Sequence, residues 1–150
     1  MTTCGELMTP SPRCCAASDT VERAAALMRG ENVGLIPVVA DHEGKLLGVV
    51  TDRDIVVKVV AAHRDPSVTA IGEIMTPDPI FCRPQESAEA LIELMASNQV
   101  RRMPIVDDAG AILGIVAQAD LATRLGRPEQ TGQLVEAISD TGPDGAPARL

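Results

Sequence analysis

Gly48-Val49-Val50-Thr51-Asp52-Arg53-Asp54-Ile55-Val56 decides how this chain is read. An apolar run suited to a strand ends at Thr51, and a helix begins just beyond it. A second copy follows at Gly114-Ile115-Val116-Ala117-Gln118-Ala119-Asp120-Leu121. A carboxylate at such a strand-to-helix junction can accept two hydrogen bonds from a ribose diol, as the acidic residue of dinucleotide folds does. The same Thr-x-x-Asp spacing also describes a helix capping box, in which both side chains serve the backbone. The two readings stand side by side at this point.

Working outward, the surroundings of the two copies also match. Glu6-Leu7-Met8-Thr9-Pro10 corresponds to Glu73-Ile74-Met75-Thr76-Pro77, and at the same offset Pro12, Cys15, Leu27-Met28 and Pro37 meet Pro79, Cys82, Leu94-Met95 and Pro104. One residue is lost in a turn. Gly44, Gly48 and Asp54 then meet Gly110, Gly114 and Asp120. A repeat sustained over this length is the strongest fold signal in the sequence.

Each copy spells the same order of elements. Asp19-Thr20-Val21-Glu22 reads as a helix start, with Val21, Ala24, Ala25 and Met28 on one face, and Ala88, Leu91, Ile92 and Met95 repeat that face. Gly30 and Ser97-Asn98 are the expected helix ends. Leu35–Val39 and Lys45–Val50 about the turn 40–44 read as a hairpin, as do Met103–Val106 and Ala111–Val116 about 107–110. Pro37 and Pro104 are expected near strand starts or edges, because they donate nothing to a ladder. Helices beginning near Asp52 and Gln118 close the copies. The fold class is therefore α+β, two β-α-β-β-α repeats packed about a pseudo-twofold axis. The repeats span 5–62 and 70–125, joined by a connector at 63–69. A short helical segment is expected at 126–138 and a mobile tail at 139–150.

Composition narrows the function classes. The 150 residues suit one domain or two small halves, and 45% of them are hydrophobic. There is no Trp or Tyr and a single Phe, Phe81, so the core must be aliphatic. Nucleic-acid binding through stacking platforms is disfavoured, and a net charge of −8 also disfavours nucleic acid and anionic membrane. No basic leader precedes an apolar core, and no apolar run reaches the roughly 18 residues of a membrane span, so a cytoplasmic location is expected. Cys4, Cys14, Cys15 and Cys82 form no CxxC pair and there are two His, so no metal site is expected. Without a GxSxG elbow, an HExxH or a phosphate loop, the chain does not read as an enzyme.

The paired pattern of Met-Thr-Pro opening, apolar-Pro strand and Gly-x-x-Thr-x-x-Asp exit resembles a tandem cystathionine-β-synthase (CBS) domain pair, or Bateman module, over roughly residues 5–125. Val50-Thr51-Asp52-Arg53-Asp54-Ile55-Val56 and Gln99-Val100-Arg101-Arg102-Met103-Pro104 are similar, more narrowly, to stretches of small stand-alone CBS proteins of actinobacteria. The resemblance implies a non-catalytic regulatory module that binds an adenine nucleotide or related adenosyl ligand (AMP, ADP, ATP or S-adenosylmethionine) in clefts between the repeats, with no required cofactor. Thr51 and Asp54 take the family's ribose-holding positions. Arg101 and Arg102 take positions that contact phosphate in nucleotide-sensing members, and Ile80, Phe81, Cys82, Met103 and Pro104 fall near the adenine. A second cleft would use Asp120 with Leu35, Ile36 and Pro37. There Ala117 replaces the hydroxyl residue, and Gly34 and Leu35 carry no charge where the first cleft has arginines.

The output of such a module passes to a protein partner that the sequence does not name. A homodimer is also expected, because Ile55, Val56, Val57, Val59 and Val60, interrupted by Lys58, make a stripe wider than one core-facing side requires. The alternative to a ligand sensor is a ligand-independent, stress-related dimeric scaffold. Phe81 reads most simply as a core residue, and Cys14, Cys15 and Cys82 as small buried thiols in short strands.

Overall fold

In a computed structural model of the chain, residues 1–40 and 43–125 are described. The expected helix at 126–138, the tail at 139–150 and the turn residues Asp41 and His42 lie outside the described residues. In chain order the elements are α1 (Cys4–Leu7), β1 (Thr9–Pro10), β2 (Cys15–Ala16), α2 (Val21–Glu31), β3 (Leu35–Val39), β4 (Leu46–Thr51) and α3 (Asp52–Ile55). A π-helical turn at Val56–Val60 and a 3-10 turn at Ile71–Glu73 follow. β5 (Thr76–Pro77), α4 (Ala88–Asn98), β6 (Arg102–Val106), β7 (Ile112–Ala117) and α5 (Gln118–Leu125) complete the order.

The compact units are cut differently from the sequence repeats. One comprises Ser11–Pro79 with Asp108–Ile112 and carries Asp54. The other comprises Met1–Pro10, Ile80–Asp107 and the described residues from Leu113 on, and carries Asp120. Each opening segment thus belongs to the unit built mainly from the other repeat.

In the Asp54 unit the sheet order is β2-β3-β4-β5. β2 runs parallel to β3, and β3 and β4 form the antiparallel hairpin, with Leu35 opposite Thr51 and Pro37 opposite Val49. β5 adds antiparallel to β4 through Gly48↔Pro77 and Val49↔Thr76. Gly48 is required here: a Cβ would lie 2.7 Å from the Thr76 carbonyl oxygen and 2.9 Å from the Met75 sulfur. The core joins Val21, Ala24 and Met28 of α2 to Ile36, Val38, Val50, Val59, Ile71 and Ile74. These residues come from elements too short to stand alone, so their stability comes from shared burial.

The Asp120 unit repeats this plan. Its sheet order is β1-β7-β6, with Thr9↔Ile115 and Pro10↔Gly114 antiparallel. A Cβ on Gly114 would lie 2.8 Å from the Thr9 carbonyl oxygen, the same close approach as at Gly48. The strand equivalent to β2 is reduced to one bridge, Cys82↔Ile105. The core gathers Cys4, Leu7, Leu91, Met95, Met103, Ile105, Val116 and Leu121.

Local signals account for the element ends, with three corrections. The Thr20 and Ser87 hydroxyls cap α2 and α4 by accepting from the N–H of Arg23 and Ala90. Gly30 does not end α2: the helix runs to Glu31, and Asn32 takes the left-handed turn at φ 56°, as Gln99 does after α4 at φ 53°. Asn tolerates that conformation through its short polar side chain. Pro37 and Pro104 lie mid-strand rather than at strand starts. At Pro37 the neighbouring β2 pairs only with Val38 and Val39, so the missing donor is not needed. At Pro104 the carbonyl is what pairs, accepting the Cys82 N–H. Finally, the expected helix beginning near Asp52 is not a plain α-helix. After Ile55 it opens into i→i+5 bonds such as Ala61 N–H to Val56 O, along a β-branched run crowded in an α-turn.

Candidate functional site

The strand-to-helix junction of the Asp54 unit is a closed capping box. The Asp54 N–H donates to Thr51 Oγ1 at 3.1 Å, and the Thr51 N–H donates to Asp54 Oδ2 at 3.0 Å. The helix-capping reading of this spacing therefore holds, and it leaves chemical capacity unused. Thr51 accepts with its oxygen and keeps a hydroxyl proton to donate. A carboxylate has about four acceptor positions, of which the box takes one. Lys58, one turn on, adds an ion pair, its Nζ lying 3.1 Å from Asp54 Oδ1. The Lys58 ammonium also donates to the Ile74 carbonyl oxygen at 3.0 Å. Leu35, Ile36 and Pro37 line the strand that pairs with this junction and are buried, Ile36 within the core cluster.

In the Asp120 unit only half of the box exists. The Ala117 N–H donates to Asp120 Oδ2 at 2.9 Å, but Ala117 has no oxygen to return the bond. Arg124, the counterpart of Lys58, donates from Nη1 to the carbonyl oxygens of Leu7 at 2.6 Å and Met8 at 2.9 Å. Among the described residues no ion pair joins it to Asp120. Arg101 precedes β6 and Arg102 opens it, the first exposed and the second half-buried. The Arg101 carbonyl accepts the Gln118 N–H at 2.8 Å, tying that corner to the start of α5. Gly34 O and the Asp52 N–H do the same in the other unit at 3.0 Å.

The remaining candidates divide by exposure. The side chains of Met103 and Cys82 are spent on the core, and Pro104 is buried. A hydrogen bond with Cys4 and burial push the Cys82 thiol far up, so it stays neutral. Ile80 is half-buried. Phe81 is 44% exposed, which corrects its expected place in the core: the Arg83 guanidinium lies over its ring, 5.3 Å from the centroid. Arg83 in turn reaches the Asp107 carbonyl oxygen. Within single units, then, the fold brings together Thr51 and Asp54 beside Leu35–Pro37, and separately Arg101–Pro104 and Ile80–Cys82 with Asp120. Sequence reasoning missed Lys58 as a site residue. Its signal was the i,i+4 spacing from Asp54, but its second partner, a backbone carbonyl 16 residues on, has no trace in composition or pattern. Among the described residues no group of three or more His, Cys, Asp or Glu could hold a metal ion. No helix among them is long and apolar enough to cross a membrane.

The CBS domain family matches residues 4–61 and 71–127, both copies of the pattern in turn. The chain belongs to the CBS-domain family. It is 38% identical over 139 residues to the CBS domain-containing protein YhcV of Bacillus subtilis, covering 93% of this chain and 96% of YhcV. It is 34% identical over 139 residues to hypoxic response protein 1 of Mycobacterium tuberculosis, covering 92% and 94% of the two chains. The crystal structure of hypoxic response protein I, with two coordinated zinc ions, superposes with a TM-score of 0.74 at 32% identity over 82% of this chain and 98% of that one. CBSX2 in complex with AMP gives 0.73 at 26% identity, covering 86% and 99%. The CBS pair of MJ0100, with 5′-methylthioadenosine and S-adenosyl-L-methionine, gives 0.72 at 28% identity, covering 84% and 97%. The fold is thus a tandem CBS pair, and CBS pairs of this fold include ones that hold adenosyl compounds.

Proposed function

We propose that the protein is a regulatory module, not a catalyst, that binds one adenine nucleotide or related adenosyl ligand per chain and passes its occupancy to a partner. The observation that carries this reading is the Thr51–Asp54 junction. There a hydroxyl proton and carboxylate lone pairs remain after the backbone has been capped. Asp54 accepts the ribose hydroxyls and Thr51 donates to the ligand. AMP, ADP, ATP and S-adenosylmethionine are the candidate ligands, and the adenosyl ligands of CBSX2 and MJ0100 support that class. The Asp120 junction, with Ala117 in place of the hydroxyl, is the poorer site.

Self-association belongs to the same reading. Val56, Val57 and Val60 are 57%, 50% and 64% exposed, while Val59 between them is buried. Three adjacent exposed valines favour a homodimer through this turn. The test is a thermal-shift series with AMP, ADP, ATP, S-adenosylmethionine and NAD. A ligand at 100 times its dissociation constant stabilises by about 2.7 kcal/mol. A shift with at least one of them is expected. No shift with any, in a protein that sediments as a dimer, would favour the ligand-independent scaffold instead.

A further inference from the structure

The Asp54 carboxylate is held by more than its own capping box. Oδ2 accepts the Thr51 N–H at 3.0 Å and Oδ1 faces Lys58 Nζ at 3.1 Å, so a hydrogen bond holds one oxygen and an ion pair the other. A hydrogen bond on one oxygen and a cation against the other hold the carboxylate in place and leave about one acceptor position or more on each. Two adjacent ribose hydroxyls need that pair of positions, side by side on a carboxylate that does not rotate.

Lys58 is itself anchored. Its ammonium also donates to the carbonyl oxygen of Ile74, a residue 2% exposed in the core cluster of the same unit. An exposed i,i+4 ion pair by itself is worth little, since both side chains pay entropy to meet. Here the lysine is already immobilised at one end, and the carboxylate side chain is only 13% exposed. The Asp120 unit supplies the contrast. Arg124 stands at the equivalent position but gives Nη1 to Leu7 O and Met8 O, and Asp120 receives the Ala117 N–H. The cation's contact with the opening segment is common to both units, and the clamp on the carboxylate is found at Asp54.

We propose that Lys58 is a positioning residue for ribose recognition: tethered to Ile74 O, it clamps Asp54 Oδ1 so that the carboxylate presents one free acceptor on each oxygen to the 2′- and 3′-hydroxyls. This inference rests on the adenosyl-binding reading above and goes beyond it in assigning ribose selectivity to a residue that need not touch the ligand.

The test compares AMP with 2′,3′-dideoxy-AMP by calorimetry in the wild type, Lys58→Met and Lys58→Arg. The wild type is expected to prefer AMP by roughly a hundredfold, the equivalent of losing charge-assisted hydrogen bonds to the carboxylate. In Lys58→Met that preference should fall about tenfold, mostly through weaker AMP binding, while Lys58→Arg should keep it within about threefold. Because each preference is a ratio within one protein, stability changes from the lost Ile74 contact cancel. If Lys58→Met weakens both nucleotides equally, or leaves the preference intact, the lysine is structural only and the inference is overturned. A wild type that binds both nucleotides equally, or neither, would instead overturn the ribose reading of Asp54, and this inference with it.

Discussion

The two exits of the repeat use one design with different completeness. At Thr51–Asp54 both halves of the capping box close, and Lys58 adds an ion pair to the carboxylate. At Ala117–Asp120 a methyl replaces the hydroxyl, so the backbone bond to Asp120 survives without its return, and Arg124 serves two carbonyls. The fold tolerates the loss because an acidic residue in the first helical turn remains favourable to the helix dipole. Structure therefore needs only the half that both exits share. The half confined to one exit is where ligand chemistry can be lodged.

The largest effect should come from removing each carboxylate in turn. Asp54→Ala is expected to weaken AMP or ATP binding by at least a hundredfold, the loss of one or two charge-assisted hydrogen bonds, while Asp120→Ala should change it by less than threefold. Calorimetry on the two variants decides this, and equal damage would erase the asymmetry. Where the units are alike, they should fail alike. Gly48→Ala and Gly114→Ala each force a Cβ against a carbonyl oxygen of the adjoining short strand. Each should cost about 1–3 kcal/mol in denaturant unfolding. A large loss at one and none at the other would show that the shared close approach does not govern both sheets. The smallest effect concerns the missing hydroxyl. Ala117→Thr should stabilise by about 1 kcal/mol by completing the second box, and Thr51→Ala should destabilise by a similar amount. No gain from Ala117→Thr would mean that Asp120 alone suffices at that helix start.

How much of this was legible depends on the range of the interaction. The Thr20 cap, the faces of α2 and α4, and the Thr51–Asp54 spacing are local, and the sequence carries them openly. The end of α2 at Asn32 was hidden, because Gly30 offered a stronger signal than the residue that takes the left-handed turn, whereas α4 ends at Asn98 as its sequence indicates. Thr9–Pro10 and Thr76–Pro77 are too short for any periodicity, and their pairing with β7 and β4 is set by tertiary packing against Gly114 and Gly48. The exposure of Phe81 followed the same rule: an isolated aromatic reads as core, yet here a guanidinium covers its face. At the site, Thr51 and Asp54 could be read from spacing, whereas the anchoring of Lys58 on Ile74 O depends on where the second opening segment packs.

The central claim is that the two exits are unequal as binding sites, and the stoichiometry of nucleotide binding tests it most directly. Calorimetric titration of the wild-type protein with AMP, repeated with ATP, should give one tight site per chain. Any second event should be at least a hundredfold weaker, since the Asp120 exit lacks the Thr51 hydroxyl and the Lys58 ion pair. Two equivalent sites per chain would contradict the account.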